Sequence, residues 1–332
     1  MSDNLQQNSN ILQKYNRLPF IAIIGPTAIG KTNLSLKIAH DFTCEIISVD
    51  SMQIYRYMDI GTAKPSQVER ETVPHHLFDI VDPDEDYQAA RFVYDAEMAC
   101  EEIIKRGHIP LLVGGTGLYI RCFQEGLFNK ETGNTEKYRL ALQQEVIEKG
   151  PQHLYRQLEI NDPDSAMRIH PNDTNRIIRA LEIYQSTGTT WSEYIKKQQN
   201  NLKDQIAPRN FLKIGLTCDR KILYDRINQR VEMMAEQGLI KEVESLLAKG
   251  YSPELKSMQS IGYRHIINFL ENRWSWSETM RLLARDTRHY AKRQFTWFNK
   301  DPSIQWFSPE NEKEIITLID NFLANLKEGQ VP

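Results

Sequence analysis

Residues 19–32, PFIAIIGPTAIGKT, carry the clearest indication of the fold. Residues 20–24 of this stretch are apolar on both faces, which predicts a fully buried β-strand, and apolar positions recur at helical spacing from Lys31 to His40. Between them the sequence fits the pattern G-x-x-x-x-G-K-[ST], in the strand-to-helix context that this motif requires. We therefore predict a diphosphate- or nucleotide-binding phosphate loop, made of Gly25, Pro26, Thr27, Ala28, Ile29, Gly30, Lys31 and Thr32.

The chemistry of this loop suits phosphate and a divalent metal. Glycines let backbone N–H groups turn toward phosphate oxygens, and the helix N-terminus adds partial positive charge. Lys31 supplies a full positive charge, and the Thr32 hydroxyl can hold Mg²⁺, the one cofactor that we expect. The loop alone does not decide whether a phosphoryl group is transferred or leaves as diphosphate.

The remaining strand signals predict an α/β fold. Further apolar runs span residues 44–49, 109–113, 212–217 and 304–307, with helical patterns between them. Alternation of strands and helices is typical of a parallel sheet covered on both faces. We predict a phosphate-loop parallel sheet flanked by helices, with an inserted all-helical domain.

Strand signals vanish between about residues 125 and 208, where three helical patterns follow one another. The expected organisation is a disordered leader at 1–17, the first part of the sheet domain at 18–124, a helical insertion at 125–208, and a return to the sheet domain with C-terminal helices at 209–326.

Composition argues against a membrane-spanning or secreted protein and gives no overall excess of positive charge. The 332 residues carry a net charge of -3, so a site for a polyanion must come from local clusters of Lys and Arg. No apolar run approaches the roughly 18 residues of a membrane span, and residues 1–17 lack the apolar stretch of a signal peptide. The four cysteines are scattered without zinc-ligand spacing, as in a cytoplasmic protein.

Two segments end strands at the sheet edge that carries the phosphate loop. Asp50 follows the second strand and is a candidate general base or hydrogen-bond acceptor; a helix N-cap at Asp50 or Ser51, or a Mg²⁺ ligand, explains it equally well. The run Gly114–Gly117 follows the third strand, where its backbone could approach a ligand and Thr116 could donate a hydrogen bond. A plain tight turn explains the same run.

Residues 281–300 combine basic and aromatic side chains. Six Lys or Arg residues stand against one acid, Asp286, with four aromatic residues interleaved. Such a segment suits single-stranded nucleic acid, through phosphate contacts and stacking on bases. A solvated amphipathic helix with its aromatic residues in the core is the alternative. The polar clusters at 175–179 and 259–264 could, taken singly, be ordinary surface.

Eight motifs follow one another along the chain: GPTAIGKT (25–32), VDSMQIY (49–55), MDIGTAKP (58–65), PHHLFDI (74–80), LLVGGTGLY (111–119), RIHPNDTNRIIRALEI (168–183), SIGYR (260–264) and AKRQFTWF (291–298). Together they resemble the tRNA dimethylallyltransferase (isopentenyltransferase) family from Leu18 to about Trp306. No zinc-finger extension follows, so the resemblance is to the bacterial form.

The resemblance implies transfer of a dimethylallyl group from dimethylallyl diphosphate to N6 of adenosine 37 in the anticodon loop of tRNA, with release of diphosphate. It implies that the phosphate loop holds the diphosphate with Mg²⁺ and that Arg264 helps to hold it. Asp50 would accept a hydrogen bond or proton from the adenine amine, with Thr116 beside the reacting centre. We expect a monomer that acts in the cytoplasm.

The family also implies which residues contact tRNA, including part of the helical insertion. They are Asp50, Ser51, Met52, Gln53, Asn175, Arg176, Ile177, Ile178, Arg179, Gln259, Ser260, Ile261, Gly262, Tyr263, Arg264, Lys292, Arg293, Gln294, Phe295, Thr296, Trp297, Phe298 and Asn299.

Without the resemblance, two other functions fit the residues. A small-molecule or nucleotide kinase shares the sheet, the loop and Mg²⁺, although the insertion lacks an obvious Arg-rich lid and the C-terminal cluster suits a larger anion. A nucleic-acid-binding NTPase is the other, and its ATP hydrolysis should be stimulated by RNA.

Overall fold

The computed structural model describes residues 18–126, 135–197 and 210–327. The chain divides into two compact units, which we call the sheet unit (residues 1–124 and 208–332) and the helical unit (residues 125–207). The leader expected at residues 1–17 lies outside the described residues, as do 127–134 and 198–209 in and next to the expected insertion.

A six-stranded sheet forms the centre of the sheet unit, in the order β3-β2-β4-β1-β5-β6. Every neighbouring pair is parallel, so the parallel α/β fold expected from the sequence is confirmed. The strands are β1 (Pro19–Ile24), β2 (Cys44–Val49), β3 (His75–His76), β4 (Ile109–Gly114), β5 (Asn210–Leu216) and β6 (Ile304–Phe307).

The register brings the functional segments to one edge. Ile24 of β1 and Val49 of β2 both pair with Gly114 of β4, so these three strands end level with one another. The phosphate loop, Asp50 and the glycine run therefore leave the sheet side by side, as expected of parallel strands.

Helices cover the sheet because its central strands are apolar on both faces. Helix α1 packs on β1, β2 and β4, and its buried Ile38 joins Ile21 and Ile23 in one hydrophobic core. The helices of the sheet unit are α1 (Lys31–Asp41), α2 (Gln67–Thr72), α3 (Ala89–Lys105), α4 (Gly117–Glu125), α9 (Arg220–Glu236), α10 (Leu239–Ala248), α11 (Tyr263–Leu270), α12 (Trp276–Phe298) and α13 (Glu312–Lys327).

The helical unit is built around a core of its own. Leu142, Leu158, Ile177 and Leu181 are buried there, and no strand occurs among its described residues. This confirms a helical insertion. Its helices are α5 (Glu136–Lys149), α6 (Pro151–Asn161), α7 (Pro163–Ala166) and α8 (Thr174–Thr187), followed by a helix over 191–197.

No helix among the described residues is both long enough and apolar enough to span a membrane. None of the four cysteines forms a disulfide bond within the described residues, and Cys44, Cys100 and Cys122 are buried.

Candidate active site

A cavity of about 560 Å³ opens at the carboxyl edge of the sheet. The phosphate loop, the turn after β2, and helices α9 and α12 contribute to its wall. Lys31, Arg226, Arg230 and Arg293 line it, and Asp50 is the only carboxylate among the described lining residues. A concave site with this charge pattern favours a polyanion, with one acceptor opposite it.

The phosphate loop has the backbone needed to hold an anion. Gly30 has φ +106° and precedes α1, whose first N–H groups receive no side-chain cap. The Lys31 ammonium donates to the carbonyl oxygens of Gly25 and Pro26, at 3.0 and 2.7 Å. Burial, helped by the neighbouring Arg230, lowers the pKa of Lys31 to about 7, although Asp50 opposes the change. Because it combines uncapped N–H groups with a desolvated lysine, the phosphate loop is the part of the cavity best suited to bind an anion.

Arg230 and Arg226 belong to the site although the motifs did not point to them. Arg230 Nη1 donates to Thr27 Oγ1 at 3.1 Å, and burial lowers its pKa against the opposing effect of Asp50. Arg226 Nη1 contacts the carbonyl oxygen of Ile29 at 3.4 Å. Two arginines four residues apart lie on one face of a helix. This spacing, in a helix that directly follows a strand of the same sheet, is the feature of the sequence that could have identified both arginines as site residues.

Asp50 uses one carboxylate oxygen to shape the turn after β2. Its Oδ1 accepts from the backbone N–H groups of Met52 and Gln53, at 2.8 and 3.3 Å. Oδ2 makes no hydrogen bond within the part of the chain that the structure describes. The capping alternative therefore holds for one oxygen, while the other can accept from a ligand.

Thr116 lies against this turn, behind the cavity wall. Its Oγ1 accepts from the Ser51 N–H at 3.1 Å. Its side chain also hydrogen-bonds Tyr290, a cavity-lining residue of α12 whose pKa is raised by burial and by Asp50. Thr116 thus contacts two neighbours of Asp50 without lining the cavity itself.

The glycine run serves close packing of protein on protein. A Cβ atom on Gly114 would lie 2.0 Å from the Val49 carbonyl oxygen, and one on Gly117 would lie 2.1 Å from Cδ1 of Trp297. At Gly115 the obstacle would be the Gln294 amide nitrogen, at 2.1 Å. Strand β2 and helix α12 therefore occupy the space beside these glycines, and Gly114 also lines the cavity, so an approach of this backbone to a ligand stays a prediction.

Gln294 bridges the phosphate loop and the glycine run. Its amide oxygen accepts from the Thr27 N–H at 2.9 Å, and its amide nitrogen donates to the Gly115 carbonyl at 3.0 Å. The side chain is largely buried and lines the cavity, so it supports the two loops from within the cavity wall.

Helix α12 separates its cations from most of its aromatic residues. Lys292, Arg293, Thr296 and Asn299 are exposed or half-buried at its surface. Phe298 is buried, Phe295 packs against the core of the sheet unit, and Trp297 packs on Gly117. Their rings are thus largely used in packing, so the helix offers an RNA mainly its basic and polar face.

The segment 259–264 contributes unequally to the cavity. Ser260 and Ile261 line it, Gln259 is exposed, and Tyr263 is fully buried beside Gly262. Arg264 is not among the described lining residues; it pairs through Nη2 with Asp286 Oδ2 at 2.7 Å.

The segment 175–179 opens α8 in the helical unit. Ile177 and Ile178 bury their side chains in the core of that unit. Asn175 and Arg176 lie at the surface, and Arg179 donates to Glu182 at 3.0 Å. Only the polar members of this segment are available for an RNA contact through their side chains.

Comparison with known proteins gives the same family over most of the chain. Residues 53–301 match the family model described as IPP transferase, and residues 19–79 match the one described as isopentenyl transferase. A tRNA dimethylallyltransferase of Desulfotalea psychrophila is 51% identical over 307 residues, covering 92% of this chain and 96% of the relative. Another from Geotalea uraniireducens is 48% identical over 310 residues, covering 93% and 98%.

Solved structures agree. The tRNA isopentenylpyrophosphate transferase of Bacillus halodurans superposes with a TM-score of 0.69 at 40% identity, covering 93% of this chain and 98% of that one. A eukaryotic dimethylallyltransferase acting on tRNA gives a TM-score of 0.76 at 30% identity, with 93% and 80% covered. The phosphate loop, the cationic cavity and these relationships lead to one conclusion: the chain belongs to the tRNA dimethylallyltransferase family.

Proposed function

We propose that the protein transfers a dimethylallyl group from dimethylallyl diphosphate to N6 of adenosine 37 in tRNA, releasing diphosphate. The observation that carries this proposal is a cavity in which Lys31 and Arg230 beside the phosphate loop share one space with Asp50, the one carboxylate among its described lining residues. The reaction needs both features, a grip for the departing anion and an acceptor at the attacking amine.

On the leaving-group side, breaking the allylic C–O bond places negative charge on diphosphate. The loop N–H groups, the Lys31 ammonium and the Arg230 guanidinium stabilise this charge where it develops. The pKa of Lys31 is lowered to about 7. An anion bound beside this lysine would raise the pKa again, because an opposite charge favours the protonated ammonium.

The residues present fit a magnesium ion held mainly by its substrate. Thr32 lines the cavity, and its hydroxyl makes no hydrogen bond within the described residues. No group of three or more His, Cys, Asp or Glu residues that could hold a metal occurs in that part of the chain. Mg²⁺ commonly takes one or two protein ligands together with phosphate oxygens and waters. Bound to Thr32 and diphosphate, it would offset charge on the leaving group.

On the acceptor side, the adenine amine is a poor nucleophile because its lone pair is delocalised into the ring. Asp50 Oδ2 would accept a hydrogen bond or the proton from this amine as the new C–N bond forms. The base must leave the anticodon-loop stack to reach the cavity, which costs little in a single-stranded loop. Thr116 would hold the turn that carries Asp50, through its contact with Ser51.

For the rest of the tRNA, we assign contacts to polar and basic side chains that are exposed or half-buried. These are Lys292, Arg293, Thr296 and Asn299 on α12 and at its end, and Asn175, Arg176 and Arg179 on α8. Arg264 would reach the diphosphate only by leaving Asp286. We expect the enzyme to act as a monomer. We also expect it in the cytoplasm, a compartment that suits four cysteines without a disulfide bond among the described residues.

The decisive experiment is mass spectrometry of nucleosides from unmodified tRNA incubated with the protein, dimethylallyl diphosphate and Mg²⁺. We expect N6-dimethylallyladenosine at position 37 and release of diphosphate. If folded protein adds no five-carbon unit to the RNA, or converts ATP to ADP in step with phosphorylation of an acceptor, the proposal fails.

A further inference from the structure

Glu242 of α10 fills an anion-binding nest beside the cavity. Its Oε2 accepts from the backbone N–H groups of Asp59 and Ile60, at 3.0 and 2.7 Å. Its Oε1 accepts from the Gly61 N–H at 3.0 Å and from the Tyr263 hydroxyl at 2.6 Å. A carboxylate has about four acceptor sites, so these donors use its full capacity. Consecutive N–H groups aimed at one anion form a nest.

The nest belongs to a loop that lines the active cavity. Gly61, Thr62 and Ala63 are in the cavity wall, at and directly after the residues that Glu242 holds. The carbonyl oxygens of Thr62 and Ala63 each accept from the Gln53 amide nitrogen at 3.2 Å. Gln53 closes the turn in which Asp50 caps the backbone, its N–H lying 3.3 Å from Asp50 Oδ1. A chain of contacts therefore runs from Glu242 to the proposed acceptor carboxylate.

Tyr263 links the same carboxylate to a second wall segment. Its ring is buried and packs so closely on Gly61 that a Cβ atom there would lie 2.5 Å from the ring. Ser260 and Ile261, just before Tyr263, line the cavity. Glu242 thus joins two wall segments that are about 200 residues apart in the chain.

We infer that Glu242 is a positioning residue for the tRNA side of the reaction: by binding the nest and Tyr263, it sets the place of the wall against which the target adenine lies. The inference rests on the proposed function. Among the residues that the structure describes, no hydrogen bond of Glu242 reaches the phosphate loop, so its effect should fall on tRNA and leave the use of dimethylallyl diphosphate nearly unchanged.

The test compares steady-state kinetics with each substrate varied in turn. Glu242→Gln keeps the shape of the side chain but places an NH₂ donor against the N–H groups that donate to the carboxylate. Tyr263→Phe removes the hydroxyl that donates to Glu242 and keeps the ring. The control is Glu244→Gln, an exposed acid on the same helix. We expect kcat/KM for tRNA to fall at least about tenfold in Glu242→Gln, with KM for dimethylallyl diphosphate changed less than about twofold, and a smaller loss in Tyr263→Phe.

A second measurement distinguishes two roles of Glu242: a negative charge that holds the nest in place, or a side chain that contributes packing alone. In Glu242→Ala the vacated nest can accept a small carboxylate, so formate should restore part of the tRNA-dependent rate, whereas chloride at equal ionic strength should not. If Glu242→Ala does not fold, the Gln and Phe variants still decide the question through the split between the two substrates.

The outcomes are distinct. If the wild-type enzyme fails to modify tRNA, the proposed function falls. If it does modify tRNA, kinetics of Glu242→Gln equal to those of Glu244→Gln overturn the inference. So does an equal rise in KM for both substrates, or a folded Glu242→Ala protein that formate assists no better than chloride.

Discussion

Replacing Lys31 by methionine should make the free protein more stable while abolishing transfer. Burial, helped by Arg230, lowers the pKa of the Lys31 ammonium from 10.5 to about 7. At about 1.4 kcal/mol for each pH unit of that gap, the protonated lysine destabilises the folded state by at most about 5 kcal/mol. Its hydrogen bonds to Gly25 and Pro26 return about 1.5 kcal/mol each, so the variant should gain about 2 kcal/mol near pH 7.

The gain must depend on pH in one direction. An unfolded lysine keeps its proton until the pH approaches 10.5, whereas the folded one releases it near 7, so the unfolded state binds more protons between these values. The stability of the wild-type protein therefore gains from this group as the pH rises through that window, and its penalty is fully present only below about pH 7. The advantage of Lys31→Met should shrink steadily as the pH is raised.

Urea unfolding of both proteins at several pH values measures this difference. The control is Lys37→Met, because Lys37 lies on the same helix, half exposed, and its hydrogen bond to Glu312 raises its pKa. It should show no gain in stability. A Lys31→Met protein that is less stable than wild type at neutral pH, or a stability advantage that does not change with pH, would contradict this prediction.

Three further predictions concern other parts of the molecule. Asp50→Ala should lower kcat by at least about a hundredfold and leave the Kd for tRNA within a few-fold, because its contact matters mainly in the transition state; an unchanged kcat would remove Asp50 from the mechanism. Lys292→Ala combined with Arg293→Ala should flatten the dependence of log K on log salt by about one for each lost phosphate contact, measured by filter binding; an identical slope would mean that neither touches the RNA backbone. Glu45 is buried, which alone would raise its pKa, but hydrogen bonds from Arg106 and two histidines lower it to about 2. Wild type should therefore lose about 3 kcal/mol of stability as the pH falls from about 4.5 to 2, a loss that Glu45→Gln, already less stable at neutral pH, should not show in acid denaturation.

Local sequence was sufficient for the sheet and the phosphate loop. The strand before Gly25 is apolar on both faces, and the spacing of Gly, Lys and Thr after it is specific to loops that bind phosphate. β3 went unpredicted because His75 and His76 are two polar residues, too few for any period to appear. Strand pairing with β2, which no local pattern records, makes them an edge strand.

The parts of the site that were missed depend on contacts between distant segments. Arg230 meets Thr27 across 203 positions of the chain, and Glu242 meets the 59–61 backbone across about 180. Neither residue stands in a motif whose spacing reveals its partner. A single sequence reveals charge at helical spacing, but only the fold tells which loop that charge meets.

Gln294 illustrates the same limit at a residue that the family resemblance assigns to tRNA contact. The sequence places it between the cations Lys292 and Arg293 and the aromatic residues that follow, and it reveals no other partner. The helical turn directs its side chain into the cavity wall, where its oxygen and nitrogen are both satisfied by the backbone of Thr27 and Gly115. The preceding Lys292 and Arg293 are exposed for the same geometric reason, since adjacent residues of a helix face different sides. A surface suited to RNA and a brace for the phosphate loop are therefore consecutive residues of one helix, and the position of the loop that would hold diphosphate depends on where that helix lies.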